Sequence, residues 1–419
     1  MARPAGITHL DVVLTAGCNL RCSYCYQNDK KARRMDWDTL RASADLVLAS
    51  ERDEVSLLFI GGEPLLEFPL IERAVAYIEE RRAPPQKIRY QVITNGTLLT
   101  DEHVDFFADH DFEVQLSFDG IEPAQDLRGR GTFARLDALL DRLRAEKPVF
   151  YSENLSVSVT LVISAVRHLA DSIDYFLDKQ IGEIAISPSI TFEPGWRLDS
   201  IDELDEQFSR IFTRLVDLYE RTGDVPLVLF RRHRDPSPHK PEGLSLCGVG
   251  HGETPAVDVD GQMHGCVMFV DSYQVFPTTF LRSRLEAMRM GHISDPQLTS
   301  RMAAYPAAAR AAGIFHSRQE KYSSYGQCRD CHFMTTCAIC PVSIGHQPGN
   351  TDPHRIPDFL CAYNLVSLKY REQFPRQPDV RDILMGRAKI PSLMQKLEMF
   401  VDSSDDETGA MRQPGPDVG

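Results

Sequence analysis

The chain has 419 residues, 42% of them hydrophobic and 25% charged, enough apolar material for one large core plus a smaller module. Its 46 basic and 60 acidic residues leave a net charge of −14, which argues against non-specific nucleic-acid binding and allows a basic peptide partner. The first residues lack the apolar run of a signal peptide, and no stretch of 18 uninterrupted apolar residues could span a membrane, so a cytoplasmic location is expected.

The ten cysteines, in a compartment that keeps thiols reduced, then point to metal binding rather than disulfides.

Leu10 to Leu14 reads as a short buried strand. Directly behind it, the run from Ala16 to Tyr26 places Cys18, Cys22 and Cys25 at the spacing Cys-x3-Cys-x2-Cys. A four-iron cluster wants one protein sulfur per iron, so three thiolates leave one iron open to a second cofactor. Scattered core cysteines are the ordinary alternative, and this tight spacing weakens it. The basic run Lys30-Lys31-Ala32-Arg33-Arg34 reads as solvated loop charge and is assigned no role.

A helical pattern from Trp37 to Leu48 leads to a strand from Val55 to Ile60, which ends in Gly61-Gly62-Glu63-Pro64. The glycines let backbone approach a ligand, Pro64 stiffens the exit, and the Glu63 carboxylate can accept from an ammonium group; alone, the motif equally suits a plain strand-to-helix turn. Next come a helix from Pro69 to Glu80, a strand from Ile88 to Ile93 and the turn Thr94-Asn95-Gly96, where Asn95 either caps the turn or meets a cofactor. A helix from Asp101 to Ala108 and a strand from Phe112 to Leu116 precede Ser117-Phe118-Asp119-Gly120. Ser117 and Asp119, at alternate positions, project to one side. Beyond them Arg128 and Arg130 compete for a carboxylate partner, with solvated surface charge as the alternative for both.

The pattern continues with a helix from Phe133 to Leu143, a strand from Val157 to Ile163, a helix from His168 to Leu177, a strand from Glu183 to Ile186 and a helix from Leu204 to Tyr219. Six strand–helix units build a parallel sheet whose carboxyl-end loops host the chemistry. The proline-rich stretch after residue 222 marks a linker over 223–246 between a first domain, 1–222, and a cysteine-rich one, 247–375. A helical segment over 376–401 and a disordered acidic, Gly/Pro-rich tail over 402–419 would close the chain.

The second cysteine set is Cys247, Cys266 in Gly261-x4-Cys, then Cys328-x2-Cys331-x5-Cys337-x2-Cys340, and Cys361. Read alone, paired Cys-x2-Cys knuckles suit zinc, which would make a zinc-stabilised binding protein with no enzyme activity. Seven thiolates, however, do not fill two four-sulfur sites.

The three-cysteine loop with Tyr24 before its last cysteine, and the polar turns after three successive strands, resemble the radical S-adenosylmethionine (radical SAM) enzymes. The later cysteines resemble the SPASM extension, an auxiliary-cluster module of such enzymes. The resemblance implies an α/β fold, a partial (βα)6 TIM-like barrel with a C-terminal SPASM domain. It implies a 4Fe-4S cluster on Cys18, Cys22 and Cys25 that binds SAM, with Tyr24, Gly61, Gly62, Glu63, Ser117, Asp119 and Arg128 as SAM contacts. Carried over residue by residue, it gives auxiliary cluster I to Cys247, Cys266 and Cys340, and auxiliary cluster II to Cys328, Cys331, Cys337 and Cys361. His251 and Glu253 are candidates for the missing ligand of the first auxiliary cluster. Two residues between Cys337 and Cys340, where three are usual, put the geometry of one of the two clusters, not its existence, in question. Met290 to Ile293 resembles the module's helix-to-turn sequence.

For function, the resemblance implies reductive cleavage of SAM to a 5′-deoxyadenosyl radical and oxidative modification, by crosslinking or dehydrogenation, of a ribosomally made peptide, with ferredoxin or flavodoxin as electron donor. No leader-peptide-binding domain is expected before residue 18 or after Cys361. Anaerobic sulfatase maturases share the layout and make formylglycine, but carry an Asp base where this chain has Val267, and an eighth auxiliary cysteine that it lacks. Small-molecule dehydrogenation is the third enzymatic reading.

Overall fold

The computed structural model describes residues 7–27, 30, 32–231, 248–252, 254–273, 281–313 and 316–377. Cys247, Glu253, most of the expected linker and the segments expected over 378–401 and 402–419 lie outside the described residues.

The first half alternates as its periodicity requires: β1 His9–Thr15, α1 Trp37–Leu48, β2 Glu54–Gly61, α2 Phe68–Arg81, β3 Lys87–Thr94, α3 Asp101–Asp109 and β4 Glu113–Ser117. Then come α4 Glu122–Gln125, α5 Thr132–Glu146, α6 Pro148–Glu153, β5 Leu155–Leu161, α7 Leu169–Asp178, β6 Ile184–Pro188 and α8 Ser200–Thr222. Neighbours from β1 to β6 pair in parallel and in chain order, so every strand points its carboxyl end the same way. This is the partial, six-unit TIM-like barrel.

Period-two burial sets the two faces. Leu10, Val12 and Leu14 of β1, Leu57 and Phe59 of β2, and Val157 and Val159 of β5 are at most 2% exposed and join the main core with Leu40, Ile71, Leu140 and Phe176 of the helices. Each such side chain contributes about 1.5–3 kcal/mol of burial. On the other face Val13 and Ile60 join a smaller cluster with Ala256, Val259, Val270 and Tyr273.

That smaller cluster shows that the later chain is not set apart from the barrel. β7 Ala256–Val257 pairs in parallel with β1, then β8 Gln262–His264 and β9 Arg289–His292 add antiparallel strands beyond it. Met290 to Ile293 is therefore mostly strand and not a helix-to-turn, because β8 takes up its backbone hydrogen bonds. Then follow α9 Leu298–Ala311, the hairpin β10 Tyr322–Ser323 with β11 Gly326–Gln327, α10 Pro341–Gly345 and α11 Asp358–Gln373. α11 lies on α8, with the Phe208 ring 5.9 Å from that of Tyr363, and Tyr363 donates to the Ile186 carbonyl of β6 at 2.8 Å.

Two expectations shift. The strand expected over Val157 to Ile163 stops at Leu161, because the Glu193 carboxylate accepts from the backbone N–H groups of Ile163 (2.5 Å) and Ser164 (3.2 Å) and starts a 3-10 turn there. The first residues of the expected linker are packed: Phe230 is fully buried, with its ring 5.1 Å from Phe374.

Candidate active site at the carboxyl end of the sheet

The cysteine loop leaves β1 at Thr15 and is tied down by backbone from the next strand. Gly62 N–H donates to the Thr15 carbonyl at 2.8 Å, and Glu63 N–H to the Gly17 carbonyl at 2.9 Å. The approach is too close for any side chain. A Cβ on Gly61 would sit 2.5 Å from the Thr15 oxygen, and one on Gly62 2.2 Å from the Gly17 oxygen and 2.9 Å from Cys18 Cβ. The two glycines thus serve the fit between the β2 turn and the cysteine loop.

Glu63 is part of this fit. The residue is fully buried and turned into the protein, with Oε1 accepting from Thr94 Oγ1 (2.7 Å) and Leu65 N–H (3.1 Å), and Oε2 from Asn95 N–H (2.8 Å). Its carboxylate clamps the β3 turn to the β2 turn. Burial pushes its pKa up to about 7, against the pull of those three donors. Asn95 carries the clamp to the cysteine loop: its Nδ2 donates to Asn19 Oδ1 at 2.9 Å, Asn19 Nδ2 donates to Thr97 Oγ1 at 2.8 Å, and Thr97 donates back to Asn95 Oδ1.

The other side of the loop is held from β4, β5 and β6. Ser23 N–H donates to the Leu127 carbonyl at 2.8 Å, and Thr191 Oγ1, just past β6, to the Tyr24 carbonyl at 3.1 Å. The Tyr24 hydroxyl donates to Asp119 Oδ2, while Asp119 Oδ1 accepts from Arg128 Nη2 and from Thr160 N–H, each at 2.9 Å. Asp119 and Arg128 are 3% and 8% exposed. Burial alone would weaken the Arg128 charge, but Asp119 and Tyr24 outweigh it and the guanidinium is held more firmly protonated. Its Nε is buried with no partner, one donor left for a ligand, whereas Arg130 is exposed. Ser117 is half-buried at the end of β4.

Cys18, Cys22 and Cys25 are free, partly buried thiols close enough to perturb one another, and burial raises Cys18 and Cys22 above the ordinary thiol value. The same holds for Cys328, Cys331, Cys337 and Cys361, which all feel one another; burial pushes Cys337 up to about 12 and Cys361 up to about 11. Buried thiols at such values are protonated until a metal takes them as thiolates. Tetrahedral zinc with Zn–S of about 2.3 Å would draw its sulfurs to roughly 3.8 Å of one another. Among the described residues the group of three or more donors lying within 4.8 Å of one another is His316, Glu320 and His354, so no three of the described cysteine sulfurs stand at zinc spacing. Free, partly buried thiols that interact with one another, three in the first loop and four in the later set, are the donor chemistry that an iron–sulfur cluster takes. Cys266 lies near Tyr26 of the first loop, and Cys340 near the buried Lys321.

Residues 12–163 match the family model of the radical SAM superfamily. These residues form a radical SAM domain. The chain is 33% identical over 161 residues to an uncharacterized protein of Methanocaldococcus jannaschii, covering 38% of this chain and 54% of that protein. It is 26% identical over 178 residues to the cysteine-type anaerobic sulfatase-maturating enzyme of Clostridium perfringens, covering 39% and 47%. The chain thus spans about half the length of these curated relatives. The structure of native anSMEcpe with bound AdoMet and Kp18Cys peptide shares its fold, with TM-score 0.64 and 18% identity over 87% of this chain and 97% of that one.

Around the cysteine loop, sequence reasoning passed over Asn19, Thr97, Thr191 and Gln125, the last of which accepts from Asp119 N–H at 2.9 Å. Their only signal was position: each is a polar residue within a few places of a strand's carboxyl end or of the cysteine loop.

This packing makes two outcomes measurable. Gly62→Ala places a methyl group inside the Gly17 carbonyl, so iron bound per chain after anaerobic reconstitution should fall by the share of one cluster; unchanged iron would contradict the fit. Because Glu63 is raised to about 7 from an ordinary 4.5, the folded protein holds this proton more tightly than the unfolded chain. Its contribution to stability is full below pH ~4.5 and lost as pH rises through about 7, on the order of 3 kcal/mol at 1.36 kcal/mol per pKa unit. Denaturant titration of metal-free protein at pH 5 and pH 8 should show that loss, and Glu63→Gln should reduce it; equal pH dependence in the two proteins would contradict the assignment.

Proposed function

We propose that the protein is a radical SAM enzyme of the SPASM type that reductively cleaves S-adenosylmethionine and oxidatively modifies a peptide, in the cytoplasm and with a ferredoxin- or flavodoxin-like donor. The observation that carries this reading is the three-thiol loop, held at the carboxyl end of a six-strand parallel sheet by turns from β2 to β6. Cys18, Cys22 and Cys25 would hold a four-iron cluster with one iron open to SAM, and that group, reduced by the electron donor, would supply the one-electron cleavage of SAM needed to attack an unactivated carbon.

The chain's own residues do the positioning. Arg128, braced by Asp119 and with Nε spare, is the guanidinium for the SAM carboxylate in preference to Arg130. Tyr24 holds Asp119 from the cysteine loop, so cluster loop and cofactor contacts move as one unit. Gly61 and Gly62 bring the β2 turn alongside Cys18, and Ser117 lines the strand end. Glu63 is a positioning residue here, setting the β3 turn from within. Cys328, Cys331, Cys337 and Cys361 would hold one auxiliary cluster, and Cys247, Cys266 and Cys340 another.

Formylglycine formation is the second reading, supported by the maturase relatives and by a neighbour that carries a peptide. Val267 weighs against it, because it packs against the small apolar cluster of Val13, Ile60 and Tyr273 and offers no base.

With SAM and dithionite, the anaerobically reconstituted protein should form 5′-deoxyadenosine, and the Cys18→Ala/Cys22→Ala/Cys25→Ala variant none. Arg128→Leu should raise the SAM concentration for half-maximal rate by about tenfold or more, the scale of a lost charge-assisted hydrogen bond, while Arg130→Leu leaves it in place. Mass spectrometry of peptides encoded beside the gene should show loss of two hydrogens; conversion of Cys or Ser to formylglycine would reverse the ranking of the two readings.

A further inference from the structure

Lys321 is 5% exposed, and among the described residues no carboxylate lies within salt-bridge distance of it. Its ammonium donates to the Pro353 carbonyl at 3.3 Å. A buried ammonium group is costly unless an anion stands nearby. Burial lowers the Lys321 pKa, and four acidic groups oppose it: Cys328 foremost, then Glu320, Asp352 and Cys340, of which Cys328 and Cys340 become anionic only when a metal takes them as thiolates.

The placement comes from the backbone. The β10–β11 hairpin pairs Tyr322 with Gln327 and Ser323 with Gly326, which sets Lys321 opposite Cys328, and Cys328 N–H donates to the Lys321 carbonyl at 2.9 Å. A second cation stands near another cysteine of the set. Arg318 Nη1 donates to the carbonyls of Met334 (2.9 Å) and Thr335 (3.1 Å), two residues short of Cys337, and its charge interacts with that thiol. Neither cation has a carboxylate in a salt bridge with it among the described residues, and each interacts with a thiol of one four-cysteine set, Lys321 with Cys328 and Arg318 with Cys337.

We propose that Lys321, supported by Arg318, compensates the negative charge of an iron–sulfur centre held by Cys328, Cys331, Cys337 and Cys361 and raises its reduction potential. The inference rests on the auxiliary-cluster reading above. The physical reason is direct: a fixed positive charge in a poorly screened interior favours the centre's more negative, reduced form. A raised potential makes this centre the easier one to reduce, which suits a role in accepting electrons and not in delivering them to SAM.

The test is an EPR-monitored redox titration of the full-length, anaerobically reconstituted protein, following the signal that SAM leaves unchanged. Lys321→Met should lower the reduced-to-oxidised ratio at a fixed potential by about tenfold, a shift of ~59 mV for one electron, and Lys321→Arg should hold the native midpoint. Arg318→Gln should shift it in the same direction if Lys321→Met does not fold. Midpoints unchanged in Lys321→Met and Arg318→Gln at native iron content would overturn the proposal. Zinc in place of iron at these four cysteines in the native protein would instead overturn the reading on which it rests.

Discussion

The structure depends on one close approach of backbone to backbone. Where β1 and β2 end, Gly61 and Gly62 run so near Thr15 and Gly17 that no Cβ fits between them, and two N–H···O bonds close the gap. This contact decides where the loop bearing Cys18, Cys22 and Cys25 can go. A chain with any larger residue at these positions would have to push the loop away from the sheet, and with it the thiols. The parallel sheet is thus less a container than a jig: its aligned carboxyl ends present turns in sequence, and each turn takes hold of the same short loop.

Around that contact the polar groups form two braces of different character. The Glu63–Thr94–Asn95–Asn19 brace is built on a fully buried carboxyl group with three donors, and it is rigid because every acceptor position that matters is used. The Tyr24–Asp119–Arg128 brace is charged and leaves the buried Nε of Arg128 without a partner. The first fixes shape, and the second fixes the loop while keeping a donor in reserve. Neither brings the thiols together to the spacing of a single tetrahedral ion, and the protonated state that burial imposes on Cys18, Cys22, Cys337 and Cys361 means that metal binding must release protons as it proceeds.

Much of this was legible in the sequence. The alternation of strands and helices through α8, the three-cysteine loop, the Gly-Gly-Glu-Pro turn and the Asp119–Arg128 neighbourhood all sit where local periodicity and spacing put them, because they are governed by residues close together in the chain. The direction of the Glu63 side chain was not legible. Whether a carboxylate at a strand end faces a ligand or folds back depends on which donors the next strand brings, and Thr94 and Asn95 lie 31 and 32 residues away. The extension of the sheet by β7 to β9 was hidden for a similar reason. β7 has two residues, too few for a period-two signal, and gains its place only by pairing with Asp11 and Val12 across the whole barrel. The end of β5 was misplaced because Glu193, the residue that stops it, is distant in sequence.

Function turns on whether the first cysteine loop holds a metal centre with one position open to an organic ligand. The most direct measurement is Mössbauer spectroscopy of protein reconstituted with 57Fe, recorded before and after SAM is added. One iron of the first cluster should change its isomer shift on SAM addition while its cluster mates keep theirs. A spectrum indifferent to SAM, or a protein whose first cysteine loop takes zinc and no iron, would contradict an open iron at this site.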